Sequence, residues 1–202
     1  MGSDTRPINL VAVRAELRAS TDPRAERTRA RLFAAATVLC SDDTTITVSA
    51  LTNAAGVSRA AFYTHFTDLG DLAMHMAQAQ FDQIGSVTGT EYGTDPAAAM
   101  RHGTRDLVSH FSANRALYRA VLVLPAEGGG NQIARIMSAP TRRLVDVVGS
   151  IPAGLRPDIA ADYLAGATAN VMTAWILDEL RADENELCEH LFQLLPLWMR
   201  GG

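Results

Sequence analysis

Lysine is absent from this chain of 202 residues, and all 18 of its basic side chains are arginine. Cysteine is nearly absent too. Cys40 and Cys188 lie far apart with no CxxC spacing, which excludes a disulfide framework and a thiolate metal site. Both are expected to be reduced, partly buried small hydrophobes. The five histidines are scattered. His102 and His110 lack carboxylate or Cys partners at ligand spacing, so neither a metal nor a cofactor is expected. No apolar run approaches the ~20 residues that a membrane helix needs. The opening MGSDTRPINL lacks the basic-then-apolar order of a secretory signal, so the expected location is the cytoplasm, with no membrane partner. Signatures of catalysis are missing as well: no GxSxG, no HExxH, and no Lys-Ser/Thr after Gly128-Gly129-Gly130. An enzyme is not expected.

What is present is a globular composition, 48% hydrophobic and 20% charged. The net charge of −4 argues against a nucleic-acid partner until its distribution is read. Residues 1–66 hold 8 Arg against 6 acidic side chains, and residues 67–202 hold 10 against 16. The N-terminal end is therefore the basic end. Arginine in every cationic position suits bidentate contacts to phosphate and guanine. The same usage also follows from a GC-rich genome.

The periodicity is helical throughout, with about nine helices and no convincing strand, so the fold class is all-α. Asp22-Pro23 opens a helix to about residue 39, with Asp as N-cap and Pro in the first turn. Thr47 caps a short helix over 48–55, and Ser58 caps another over 59–66. Asp68 opens a longer helix to about 86, followed by a polar, Gly-containing loop over 87–95. Further helices are predicted over 96–113, 114–124, 132–150 (with Pro140 inside), 156–182 and 184–200. Pro125 to Asn131 reads as a flexible connection. The predicted organisation is an N-terminal extension over 1–21, a small helical unit over 22–67, and a larger helical unit over 68–202.

The most informative stretch runs from Thr45 to Phe66, TITVSALTNAAGVSRAAFYTHF. Two short helices joined at Ala55-Gly56-Val57 form the layout of a helix-turn-helix, whose second helix lies in the DNA major groove. Gly56 supplies a positive φ in the turn. Leu51, Phe62 and Phe66 are expected in the core. Arg59 stands in the first turn of the reading helix, where side chains reach base edges or phosphate. Tyr63 offers a hydroxyl to phosphate, Thr64 faces a base edge, and His65 donates to phosphate or caps locally. Thr45 and Thr47 stand where free N–H groups and the helix dipole favour phosphate. Ser58 completes the set.

The last two predicted helices carry more apolar surface than one buried face needs. Tyr163, Val171, Trp175, Leu187, Leu191, Leu194 and Trp198 form either an ordinary interior pair of helices or a two-fold homodimer interface, and the second is the expectation here.

These residues resemble the TetR (tetracycline-repressor-like) family of bacterial regulators. The family run T-V-x-x-I-A-x-x-A-G-V-S, then Y-x-H-F, is matched by Thr47-Val48, Leu51, Ala54-Ala55-Gly56-Val57-Ser58, Phe62-Tyr63 and His65-Phe66. Leu72 matches the following helix, so the likeness covers about residues 27–72. Two departures stand out. The family's phosphate-donating Lys after Y-x-H-F is here Leu69, and Gly70 follows. A glycine there weakens the start of its helix by ~0.5–1 kcal/mol. Thr52 replaces a usual alanine.

The resemblance implies a helical N-terminal DNA-binding domain and a helical C-terminal domain for ligand binding and dimerisation. It implies double-stranded operator DNA, a homodimer and a small-molecule effector as partners. The implied role is a ligand-responsive regulator, a repressor released from a palindromic operator by the effector. The alternative is a constitutive or degenerate DNA-binding dimer without an effector response. Met76, Phe81, His110, Phe111, Tyr118, Met137, Asn170 and Trp175 are the expected walls of the effector cavity. The helix over 68–86 is the expected lever between the two parts.

Overall fold

A computed structural model describes residues 22–41, 46–122, 132–149 and 151–201. The predicted extension over 1–21, Thr45 and the Pro125 to Asn131 connection lie outside the described residues. Among the described residues there are nine α-helices, one 3-10 turn and no strand. The helices are α1 (Pro23–Ser41), α2 (Val48–Ala55), α3 (Arg59–His65), α4 (Leu69–Tyr92), α5 (Pro96–Ala113), α6 (Arg115–Leu122), α7 (Gln132–Val148), α8 (Pro157–Ile176) and α9 (Glu184–Leu194). The 3-10 turn spans Leu197–Met199. The chain forms two compact units, one ending at Leu72 and the other beginning at Ala73.

In the first unit, local chemistry accounts for each helix end. The Asp22 carboxylate accepts from the Arg24 N–H at 2.9 Å. The Thr47 hydroxyl accepts from the Ala50 N–H at 3.1 Å, and the Ser58 hydroxyl from the Ala61 N–H at 3.0 Å. Each satisfies an N–H that a helix start leaves unpaired. Gly56 adopts φ 60°, and a Cβ built there would stand 2.6 Å from the Arg31 guanidinium, which donates to the Gly56 carbonyl at 3.0 Å. Only glycine meets both conditions without strain. Leu32 and Ala36 of α1, Leu51 of α2, Phe62 of α3, Phe66 and Leu72 are fully buried together. Thr52, the departure from alanine, is buried with its hydroxyl donating to the Val48 carbonyl at 2.8 Å. Gly70 is offset by a reciprocal cap. Asp68 accepts from the Asp71 N–H at 2.8 Å, and Asp71 accepts from the Thr67 N–H at 2.8 Å.

The second unit is held by faces rather than ends. Three of its helices differ from the pattern reading. The loop expected over 87–95 is helix as far as Tyr92. Gly85 and Gly89 do not break it, because each packs closely on α7. Their absent Cβ atoms would lie 3.9 Å from Pro140 and 3.8 Å from Val147. Buried Thr88 and Tyr92 hold the same stretch, with the Tyr92 hydroxyl donating to the Trp198 carbonyl at 3.2 Å.

The helix expected to reach residue 182 stops at Ile176. Asp178 turns to φ 63°, its carboxylate gripped by Arg115 at 2.6 Å and by Arg119. The Trp175 indole N–H donates to the Ala182 carbonyl at 2.9 Å, which fastens the returning chain. The last predicted helix ends at Leu194, since Pro196 cannot continue it. Met100 of α5, Val145 and Val148 of α7, Ala161 and Leu164 of α8, and Phe192 of α9 share one core with Met199.

Candidate functional site

The candidate recognition face is set by the seven residues of α3. Phe62 and His65 turn into the unit, while Arg59, Ala60, Tyr63 and Thr64 stand exposed on the opposite side. The spacing i, i+1, i+4, i+5 makes these four one continuous face. The Arg59 guanidinium lies 3.4 Å from the Ser49 hydroxyl, an exposed group in the first turn of α2. Tyr63 is 38% exposed and packs edge-on against Phe62, with ring centroids 5.3 Å apart, so the ring is anchored and its rim open. The Thr64 hydroxyl donates to the Ala60 carbonyl at 2.9 Å. With that hydrogen committed, it presents lone pairs and a methyl group outward. Thr47 and Ser58 are exposed caps, and their oxygens are occupied by backbone N–H groups.

His65 is 6% exposed and sits on the core side of α3, apart from the exposed face of Arg59, Tyr63 and Thr64. Burial first, and the positive charge of Arg29 second, hold its pKa below the ordinary value. Ala60 and Ser49 were not singled out from the sequence. Ala60 carries no polar atom to notice, and Ser49 joins Arg59 only across the turn.

The second unit contains an apolar cavity of about 120 Å³. Of the residues expected to line it, Phe81 and Met137 do so. Met76 is core, 4% exposed. His110, Phe111 and Tyr118 form a cluster of their own. The His110 Nε2 and the Tyr118 hydroxyl are 2.7 Å apart, and the Phe111 and Tyr118 rings are 4.5 Å apart. Burial pushes the His110 pKa down to about 4, so its ring is neutral near pH 7. Asn170 is exposed on α8, on the helix face away from the cavity lining of Leu164 and Thr168. Trp175 borders a separate surface hollow with Arg115 and Asp178, its ring under the Arg115 guanidinium. The walls that pattern reading missed include apolar residues such as Ile84, Leu107 and Leu144, and small or polar ones such as Gly85, Gly103, Thr141 and Thr168.

The expected interface residues divide. Tyr163 and Leu194 are 72% and 73% exposed, whereas Trp175, Leu187 and Leu191 are buried within the protomer. Val171 and Trp198 are half-buried. Trp175 on α8 and Leu187 and Leu191 on α9 therefore belong to the interior of the protomer. Ile159 and Leu197, at 55% and 68% exposure, are exposed apolar side chains like Tyr163 and Leu194, as are Val147 and Leu155 among the described residues of this unit.

No protein-family model matches the chain, and no curated protein matches it. Solved structures do. The fatty acid degradation regulator FadR from Bacillus halodurans is 15% identical, with 90% of this chain and 97% of that one covered at a TM-score of 0.59. Thermus thermophilus FadR, a TetR-family transcriptional repressor in complex with lauroyl-CoA, is 16% identical over 86% and 94% at 0.60. The TetR-family repressor AlkX from a Dietzia species is 17% identical over 90% and 97% at 0.56. The chain shares the fold of TetR-family transcriptional regulators.

Proposed function

We propose that this chain is a ligand-responsive transcriptional repressor that binds a palindromic operator as a homodimer and is released by a small effector. The observation that carries the reading is the exposed face of α3, with Arg59 and Tyr63 held on a capped, glycine-turned helix pair. In this reading residues 22–67 read DNA, and residues 68–202 bind the effector and dimerise. Ile159, Tyr163, Leu194 and Leu197 supply the apolar surface for the two-fold contact. The effector occupies the cavity. Helix α4 starts beside the reading helix in sequence and lines that cavity with Phe81, Ile84, Gly85 and Thr88. It is the element through which occupancy is transmitted to DNA affinity. Thermus thermophilus FadR, with lauroyl-CoA bound, is a repressor of the same fold that holds a small molecule.

The test is binding to a duplex selected from a random library, followed by fluorescence anisotropy. Affinity is expected to fall steeply with salt. Arg59→Ala is expected to cost ~1–3 kcal/mol and to relax preference at one base position. Unchanged affinity and unchanged preference in that variant would mean that α3 does not read DNA. A strictly monomeric chain at micromolar concentration, by sedimentation, would remove the palindrome from the reading.

A further inference from the structure

The cavity in the second unit has a wall without charge. Phe81 and Ile84 of α4, Met100 and Leu107 of α5, and Leu144 and Leu164 supply most of its surface, and no Asp, Glu, Arg or His is among its described lining residues. Its polar points are four hydroxyls, one from each of four helices: Thr88 on α4, Thr104 on α5, Thr141 on α7 and Thr168 on α8. The Thr104 hydroxyl already donates to the Met100 carbonyl at 2.8 Å, so toward a ligand it acts as an acceptor. Gly85 lines the hollow without a side chain, while at Gly103 the missing Cβ lets Thr88 and Ile84 approach closely.

These features decide the ligand's chemistry. The hollow opens to solvent on one side, but a carboxylate or phosphate seated on this lining would lose part of its water and find no cation among the described lining residues, a cost that apolar contact does not recover. A single hydroxyl or carbonyl group would find a threonine partner. Size follows from volume. An apolar cavity of ~150 Å³ holds benzene, and this one is of the same order at about 120 Å³. We propose that the cavity takes an uncharged, mainly hydrocarbon ligand, with about six of its non-hydrogen atoms seated in the hollow and one hydroxyl or carbonyl group. The proposal rests on the effector-responsive reading above and names the chemical class of that effector.

The experiment is calorimetry on the full chain with three probes that share a hydrocarbon tail: octanol, octanoate and octanoyl-CoA. At pH 7 octanol is expected to bind at least ~10-fold more tightly than either anion. Gly85→Val is expected to fill the hollow and to weaken octanol binding at least ~10-fold, with helix content by circular dichroism unchanged. If that variant does not fold, Met137→Ala enlarges the same cavity, and preference is expected to move from octanol toward decanol. Octanoate or octanoyl-CoA binding as tightly as octanol overturns the proposal, as does octanol binding unaltered by a folded Gly85→Val chain. DNA affinity measured in parallel separates the two levels. Octanol that binds without releasing DNA leaves the ligand class standing and removes the effector role. A chain that never binds duplex DNA removes the regulator reading alone.

Discussion

Helices α2 and α3 have 8 and 7 residues, while α4, α7 and α8 have 24, 17 and 20. Helices as short as the first pair are marginal on their own. They are held at their ends by Thr47 and Ser58, and at the turn by Gly56. The long helices of the second unit tolerate what short ones could not. Pro140 stands inside α7 and Gly85 and Gly89 inside α4, although each lowers helix propensity. They persist because packing on the facing helix outweighs their lower propensity. The first unit thus spends its special residues on backbone conformation, and the second spends them on space. A helix proposed to read DNA must present fixed side chains, and capping fixes it. A cavity needs room between helices, and small residues provide it.

The largest expected effect separates the two units. Phe62 is fully buried, 5.7 Å from the Phe66 ring. Phe62→Ala should destabilise the first unit by ~3–5 kcal/mol, a large part of what a small domain has. Both tryptophans, Trp175 and Trp198, lie in the second unit, so indole fluorescence reports on it alone. In a urea titration the circular dichroism signal should lose amplitude early, while the indole transition keeps its midpoint. A common shift of both signals would mean that the units share one stability, and the contrast between them would lapse.

Next in size is a dependence on pH that belongs to the second unit. His110 has a folded pKa of about 4 against an ordinary 6.5. The unfolded chain therefore binds this proton over a range where the folded chain does not. The contribution is complete above pH ~6.5 and is lost as pH falls toward 4, by about 3 kcal/mol in all. The urea midpoint followed by indole fluorescence should fall across this window in the parent chain. The fall should be smaller in His110→Gln, which keeps a polar partner for the Tyr118 hydroxyl. Equal pH slopes in the two proteins would show that other groups carry the effect.

What the sequence made legible follows the same division. Thr47, Gly56 and Ser58 act on neighbours within a few residues, so their roles could be read from spacing. The hydrophobic period likewise gave the class and most helix starts. The burial of His65 was not legible, because a polar residue on a short helix suggests solvent, whereas its position beside Phe66 turns it inward. Gly89 was misread as a loop residue because its partner, Val147, is 58 positions away in the chain. The cavity walls Gly103 and Thr168 carried no signal, since their role exists only when four helices meet. Trp175 suggested an interface by its size, but its ring is claimed by Arg115, and that contact has no local signature.

The smallest effect is the most direct test, because it makes one substitution at two glycines. Gly56→Ala places a Cβ on a backbone at φ 60° and 2.6 Å from the Arg31 guanidinium. The left-handed conformation alone costs ~1–2 kcal/mol, and the Arg31 bond to the Gly56 carbonyl must shift as well. Gly89→Ala places a Cβ in ordinary contact with Val147 at 3.8 Å, inside a helix where alanine is preferred. It should stabilise by ~0.5–1 kcal/mol. Opposite signs are therefore expected: a lower urea midpoint by circular dichroism for the first variant, and a higher one by indole fluorescence for the second. If Gly89→Ala also destabilises, the close approach of α4 and α7 is tighter than an alanine allows. Packing rather than helix propensity then sets the helix at residue 89.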